Sequence, residues 1–79
     1  MIDAGIHPGD IVIVDKGAVA KPEDIVVAEV DREYTLKYLK KDKNGYFLRA
    51  GNTKYPDFRA REELKIFGVV TGVVRKYKK

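Results

Sequence analysis

The 79-residue chain contains no cysteine and no tryptophan, and it has one histidine and three prolines. The absence of cysteine excludes disulfide bonds and thiolate metal sites, and it fits the reducing cytosol. The single histidine, His7, cannot form a zinc site without several carboxylates beside it. No apolar run approaches the ~20 residues that a membrane helix needs, and the first residues lack a secretion signal. We therefore expect a cytoplasmic protein with no membrane segment, no metal and no other cofactor.

Hydrophobic residues make up 44% of the chain and charged residues 35%, a composition typical of a globular domain. The length allows one domain, residues 1–79, with a thin core that an oligomer interface would help to stabilise. Residues 1–39 contain four basic and eight acidic residues, a net charge of −4, and residues 40–79 contain twelve and four, a net charge of +8. A basic half can bind an acidic partner or nucleic acid, although solubility and protection of strand edges are the more ordinary explanation.

Apolar runs separated by turn residues predict an all-β fold of six or seven short strands, either a curled sheet or a partly open barrel. The run at 11–14 is typical of a strand buried on both faces. Asp31-Arg32 is a plausible tight connection, and Asn44-Gly45 is a hairpin signal. The predicted strands are residues 11–14, 25–30, 33–40, 46–50 and 65–75, with a short edge strand at 58–61 as a further candidate.

The third predicted strand carries a lysine in an apolar setting. Side chains alternate along a strand, so Thr35, Lys37 and Leu39 share one face while Tyr34 and Tyr38 lie on the other. If the aromatic face packs on the core, Lys37 lies on the opposite face. A lysine on a half-buried strand is most often only solvated, so this strand by itself assigns no function.

Several segments of the chain are informative as an ordered set. They are Met1-Ile2-Asp3-Ala4-Gly5-Ile6, then Pro8-Gly9-Asp10 before an apolar strand ending at Asp15, then Asp24-Ile25-Val26-Val27-Ala28, Tyr34-Thr35-Leu36-Lys37-Tyr38-Leu39, Asn52 with Tyr55 and Pro56, and Phe67-Gly68-Val69-Val70. None is specific alone, but together they span nearly the whole chain, which resembles the UmuD/LexA family of self-cleaving serine–lysine peptidases. Ile2-Asp3 and the Asn52 loop favour a UmuD-like member, and LexA-like and phage repressors remain open.

The resemblance implies a catalytic role for one lysine. Lys37 matches the family's general base, which activates a serine hydroxyl when the amine is uncharged, and Thr35 could orient that amine. A threonine selected only for its strand propensity is the alternative. The family places the serine immediately before the position of Met1 and the cleavage site further upstream. We therefore expect an N-terminally truncated peptidase-like domain that is inactive without the serine.

The resemblance also implies a function in the bacterial SOS response to DNA damage. A UmuD-like protein would cleave itself on RecA filaments and then serve, as a homodimer, an error-prone translesion DNA polymerase. A LexA-like or phage repressor would use this domain for dimerisation and self-cleavage. In both cases residues 65–75 are expected to contact a symmetry mate.

Two alternative hypotheses come from other classes. One is a small basic β-barrel that binds single-stranded nucleic acid directly, although core aromatic residues with solvated basic residues are the more ordinary explanation of the same pattern. The other is a signal-peptidase relative, which would need a membrane anchor.

Charged residues at the strand ends lead to two further predictions. Asp10 and Asp24 follow turns and precede strands, so each is expected to hydrogen-bond to nearby backbone. Basic residues after the last apolar strand are expected to guard it against aggregation. These are Arg75, Lys76, Lys78 and Lys79.

Overall fold

Five β-strands make up the regular structure of the computed structural model, which describes residues 4–52, 54–60 and 64–77. They are β1 (Ile11–Asp15), β2 (Ile25–Val30), β3 (Glu33–Asp42), β4 (Gly45–Arg49) and β5 (Lys65–Val74). All pair antiparallel in one open sheet with the order β1-β5-β2-β3-β4. The all-β prediction is confirmed, and the five principal strands match their predicted bounds within two residues.

The predicted short strand at 58–61 is reduced, in its described part, to an isolated bridge between Phe58 and Leu48. Met1, Ile2 and Asp3, which carry part of the family resemblance, lie outside the described residues, as do Lys78 and Lys79. The part of the chain that the structure describes has no helix long and apolar enough to cross a membrane.

Two tight turns join β2, β3 and β4 into a meander. Asp31 and Arg32 both have positive φ, 53° and 68°, which is the backbone of a two-residue hairpin turn that matches the twist of its strands. At the next turn Gly45 has a φ of 113°, and the Asn44 amide donates to the Asp42 carboxylate at 2.9 Å. Both predicted turns are confirmed.

The first and last strands form one side of the sheet, because β5 lies between β1 and β2. β1 pairs only with β5, so it is an edge strand, and Ile11 and Ile13 are each 50% exposed. The prediction that this run is buried on both faces is wrong, since no described element covers the end of the sheet that it occupies. In this protein the continuous apolar run at residues 11–14 belongs to an exposed edge strand.

The core lies against the face of the sheet that carries Lys37. Val26 and Ala28, both 0% exposed, stand directly opposite Lys37 and Thr35 in the β2–β3 ladder. Directly opposed residues project to the same side of an antiparallel sheet. The core-facing side of β3 is therefore the threonine–lysine–leucine side, while Tyr34 on the other face is 65% exposed. The buried core residues are Val26, Ala28, Leu39, Leu48 and Val69.

The opposite face of β4 carries a layer of paired charges around one aromatic ring. Phe47 is 7% exposed, and the guanidinium groups of Arg49 and Arg59 lie 5.4 and 4.6 Å from its ring centroid. Arg49 pairs with Asp57 at 3.0 Å and Arg59 pairs with Asp42 at 2.7 Å. This layer attaches the segment around Phe58 to β4, and it holds both arginines in ion pairs.

Candidate functional site

An open cleft of about 540 Å³ lies where β3 extends beyond its neighbour β4. The β3–β4 ladder runs only from Tyr38 to Asp42, so the described chain pairs residues 33–37 on the β2 side alone. The walls of the cleft are residues 34–37 of β3, residues 6–8 of the N-terminal turn, and residues 50–52 with Tyr55. The cleft thus brings the start of the described chain to the strand that carries Lys37.

Lys37 lies half-buried between the core and this cleft. Val26, directly opposite, and Leu39, two residues along the same face, are 0% and 2% exposed. Other basic residues of the described chain form four ion pairs with carboxylates, but no described carboxylate pairs with Lys37. Lys37 thus lies at the boundary between the buried core and the open cleft.

Thr35 lies on the same face of β3 as Lys37 and contributes to the same cleft. It stands opposite the buried Ala28 in the β2–β3 ladder. The structure thus brings together the two residues that the sequence analysis selected. Their roles stay predictions, since a shared cleft does not define a reaction.

The N-terminal turn, residues 5–10, is held by its own aspartate. The Asp10 carboxylate accepts a hydrogen bond from the His7 amide at 2.9 Å, and the Asp10 amide donates to the His7 carbonyl at 3.1 Å. Gly5 and Gly9 have φ of +78° and +90°, a backbone that favours glycine. Ile6 within the turn is buried, at 7% exposed. The predicted local bond of Asp10 is confirmed.

Asp24 makes the corresponding bond before β2, where its carboxylate accepts from the Lys21 amide at 2.9 Å. The Asp24 carbonyl also accepts a hydrogen bond from the Leu39 amide at 2.8 Å, and the Glu23 amide donates to the Leu39 carbonyl at 2.7 Å. These two backbone bonds extend the pairing of β2 and β3 past Ile25. The predicted local bond of Asp24 is therefore confirmed, and it fixes the entry into the strand opposite Lys37.

Arg75 makes contacts in this region that the sequence analysis did not predict. Its Nε and Nη2 atoms donate to the two oxygens of Asp10 at 2.9 and 2.7 Å, and Nη2 also donates to the Gly5 carbonyl at 2.7 Å. The hydrogen bond from Arg75 is the main reason why the pKa of Asp10 lies below its usual range. Arg75 is therefore a structural link between β5 and the turn. Its role in protecting the strand end stays a prediction.

The pattern that could have revealed this link is the pairing of the first and last strands. Ile11 stands opposite Val74, so the residues just outside the ladder, Asp10 and Arg75, are neighbours with opposite charges. In the described residues no group of three or more histidine, aspartate or glutamate side chains is placed to hold a metal ion.

Comparison with known proteins gives the family. The family model described as Peptidase S24-like matches residues 1–71. The chain belongs to this family. The LexA/UmuD-type resemblance read from the ordered segments is thereby confirmed, together with its all-β fold.

Three curated relatives place this S24-like domain within longer proteins. It is 46% identical over 79 residues to a LexA repressor of Carboxydothermus hydrogenoformans, with 98% of the chain and 39% of the relative covered. It is 40% identical over 76 residues to a LexA repressor of Alcanivorax borkumensis, covering 95% and 37%. It is 43% identical over 76 residues to Protein SamA of Salmonella typhimurium, covering 96% and 53%. The S24-like domain thus spans between about a third and about half of these relatives.

Proposed function

We propose that this chain is the larger part of a self-cleaving serine–lysine peptidase domain in which Lys37 is the general base. The observation that carries the proposal is the position of Lys37: half-buried, without a described carboxylate partner, in a cleft that residues 6–8 also line. In the family pattern that turn closely follows the nucleophilic serine, which would precede Met1 in the intact protein. The shared cleft of this turn and the lysine is what supports the proposal.

The proposed reaction is cleavage of a peptide bond in the upstream arm of the same protein. The Lys37 amine accepts the proton of the serine hydroxyl, and the serine oxygen bonds to the scissile carbonyl carbon. Backbone N–H groups near the serine stabilise the oxyanion. As the C–N bond breaks, the ammonium returns the proton to the leaving amine, and water then hydrolyses the acyl-enzyme. Thr35 orients the lysine amine.

The proposed biological setting is the cytoplasmic SOS response, with two contexts for the whole protein. As a UmuD-like protein, it would cleave itself on RecA filaments and then serve a translesion DNA polymerase, and the 43% identity to Protein SamA is compatible with that context. As a LexA-like repressor, the domain would follow a DNA-binding domain, which the 46% identity to a LexA repressor favours. The upstream sequence distinguishes them: a short arm indicates the first and a helical domain the second.

We also propose a homodimer through the C-terminal strand. Apolar side chains are exposed along the β1–β5 edge: on one face Ile11, Ile13 and Val74 are 50%, 50% and 44% exposed, and on the other face Val73 is 41% exposed. Exposed apolar side chains at a sheet edge favour association with a second chain. Val74→Lys should shift sedimentation from dimer to monomer, whereas Val19→Lys, at an 82% exposed position outside the strands, should not. An unchanged dimer in the first variant would refute this interface.

The test of the lysine's role is self-cleavage of the full protein, with its serine and upstream arm, at pH 7.5 and pH 10. An ordinary lysine is largely charged at neutral pH, so cleavage should be faster at pH 10. Lys37→Ala should slow cleavage about a thousandfold or more. The control is Lys41→Ala, on the same strand and the same face of β3 but at an exposed position, which should cleave like the wild type. A Lys37→Ala protein that still cleaves itself at the normal rate would refute the assignment.

A further inference from the structure

Arg75 connects the end of the last strand to the turn that precedes the first. β5 ends at Val74, and the next side chain crosses to the turn at residues 5–10. It binds Asp10 through two parallel N–H···O bonds and the Gly5 carbonyl through a third bond. A bidentate guanidinium–carboxylate pair fixes orientation as well as distance. The turn is thereby fixed in place from a strand that lies 65 residues away in the sequence.

This link differs from the other ion pairs of the described chain in the burial of its acid. The Asp10 side chain is 3% exposed, whereas the acids of the other three pairs are between 41% and 71% exposed. Asp10 also accepts the His7 amide inside the turn. Exposed pairs contribute little, because water competes for both partners and both side chains keep their freedom. A nearly buried carboxylate that is shared between the turn and Arg75 makes the conformation of the turn depend on the arginine.

The turn that Arg75 holds is a wall of the Lys37 cleft. Residues 6–8 line the same cleft as β3 residues 34–37, and Ile6 is buried. A displacement of the turn therefore changes the separation between Lys37 and the chain that leads back from Gly5 towards the nucleophile. Displacements of about 1 Å can lower a rate about a hundredfold when reacting groups must be aligned.

We propose that Arg75 is a positioning residue for self-cleavage: it holds Asp10 and the Gly5 carbonyl, and so sets the place of the nucleophile-bearing segment relative to Lys37. This inference rests on the function proposed above. The end of β5 would then contribute to self-cleavage by positioning the turn, in addition to any contact that the strand makes with a second copy. Arg75 itself touches neither the base nor the cleaved bond.

The experiment compares variants of the full protein that retain the serine. Arg75→Gln removes the charge and the bidentate geometry, and Arg75→Lys keeps the charge alone. Lys76→Gln is the matched control, because it removes the same charge at the adjacent exposed position. The first-order rate of self-cleavage is measured from pH 7 to pH 10.5, at a temperature well below each variant's thermal midpoint. Amide exchange of His7 and of the β2–β3 ladder is followed with the serine replaced by alanine.

Arg75→Gln should cleave about ten- to a hundredfold more slowly at every pH, with the midpoint of the pH profile unchanged. Lys76→Gln should match the wild type, and Arg75→Lys should recover part of the rate. The double variant with Asp10→Asn should be no slower than Arg75→Gln alone, because the two residues act as one unit. The His7 amide should exchange faster in Arg75→Gln, while the amides of β2 and β3 keep their protection.

Two results would overturn the role of Arg75. One is cleavage by Arg75→Gln within twofold of the wild-type rate. The other is faster exchange throughout β2 and β3 to the same degree as at His7, which would make the residue a general stabiliser of the fold. A wild-type protein that stays intact at pH 10 would refute the proposed function itself, so the two failures are distinguishable.

Discussion

Gly68 in β5 is the position where one added methyl group should most disturb the described sheet. A Cβ atom built there would lie 2.5 Å from Cγ1 of Val14, 3.1 Å from the carbonyl oxygen of Asp15 and 3.3 Å from Cα of Lys16. The valine could rotate away, but the other two atoms belong to the backbone of β1 and the residue after it. Gly68→Ala therefore has to move β1 away from β5, which costs about 2 kcal/mol of unfolding free energy.

A second glycine in the same strand provides the control. At Gly72 an added Cβ would meet only the Ile13 side chain, at 3.4 Å or more, which is ordinary contact. Gly72→Ala should therefore leave stability unchanged or raise it slightly, because glycine is unfavourable inside a strand. Thermal unfolding followed by circular dichroism should show Gly68→Ala melting about 8–16 °C lower than the wild type. Equal midpoints for the two variants would refute the packing argument.

Two further predictions concern the core and the buried carboxylate. Leu48→Ala, at a 1% exposed position, should lower the free energy of unfolding by about 3 kcal/mol, as measured by urea titration. Val19→Ala, at an 82% exposed position, should change it by less than about 0.5 kcal/mol. Similar losses in the two variants would contradict the assigned core. The pKa of Asp10 is lowered, mainly by the hydrogen bond from Arg75. The ionised carboxylate therefore stabilises the folded state fully above about pH 5. This stabilisation is lost as the pH falls below about 4, because the unfolded chain binds protons first. Urea unfolding from pH 6 to pH 2.5 should show this loss, and Asp10→Asn should make the dependence shallower; an unchanged slope would contradict it.

The strands and turns could be predicted from the sequence because their signals are local. β-branched runs and the residue pairs at the two hairpin turns are read within a few positions, and Asp31 and Arg32 take the backbone that their turn requires. The face of β3 could not be read in this way. By composition the tyrosine-rich face is the more apolar, yet the other face is on the core side, because Val26 and Ala28 of β2 stand opposite Lys37 and Thr35. That register depends on which strands pair, which a single strand does not reveal.

The contacts of the N-terminal turn could not be predicted from the sequence for a related reason. Asp10 and Arg75 become neighbours only because β5 inserts between β1 and β2 and pairs with β1. The same topology leaves β1 at the edge, which is why its apolar run is exposed and not buried. The identity of Lys37 as a candidate base came from the ordered resemblance, and the structure adds its position beside the N-terminal turn.

The central claim is that the amine of Lys37 accepts the proton of the serine, and chemical rescue tests it most directly. Lys37→Ala in the full protein leaves the lysine's place empty at the wall of an open cleft of about 540 Å³, large enough to admit a small amine such as ethylamine. Self-cleavage of Lys37→Ala at pH 10 should rise in proportion to the concentration of uncharged ethylamine, while Lys41→Ala should not respond. A Lys37→Ala protein that cleaves at the wild-type rate without added amine, or that gains nothing at any amine concentration, would contradict the account.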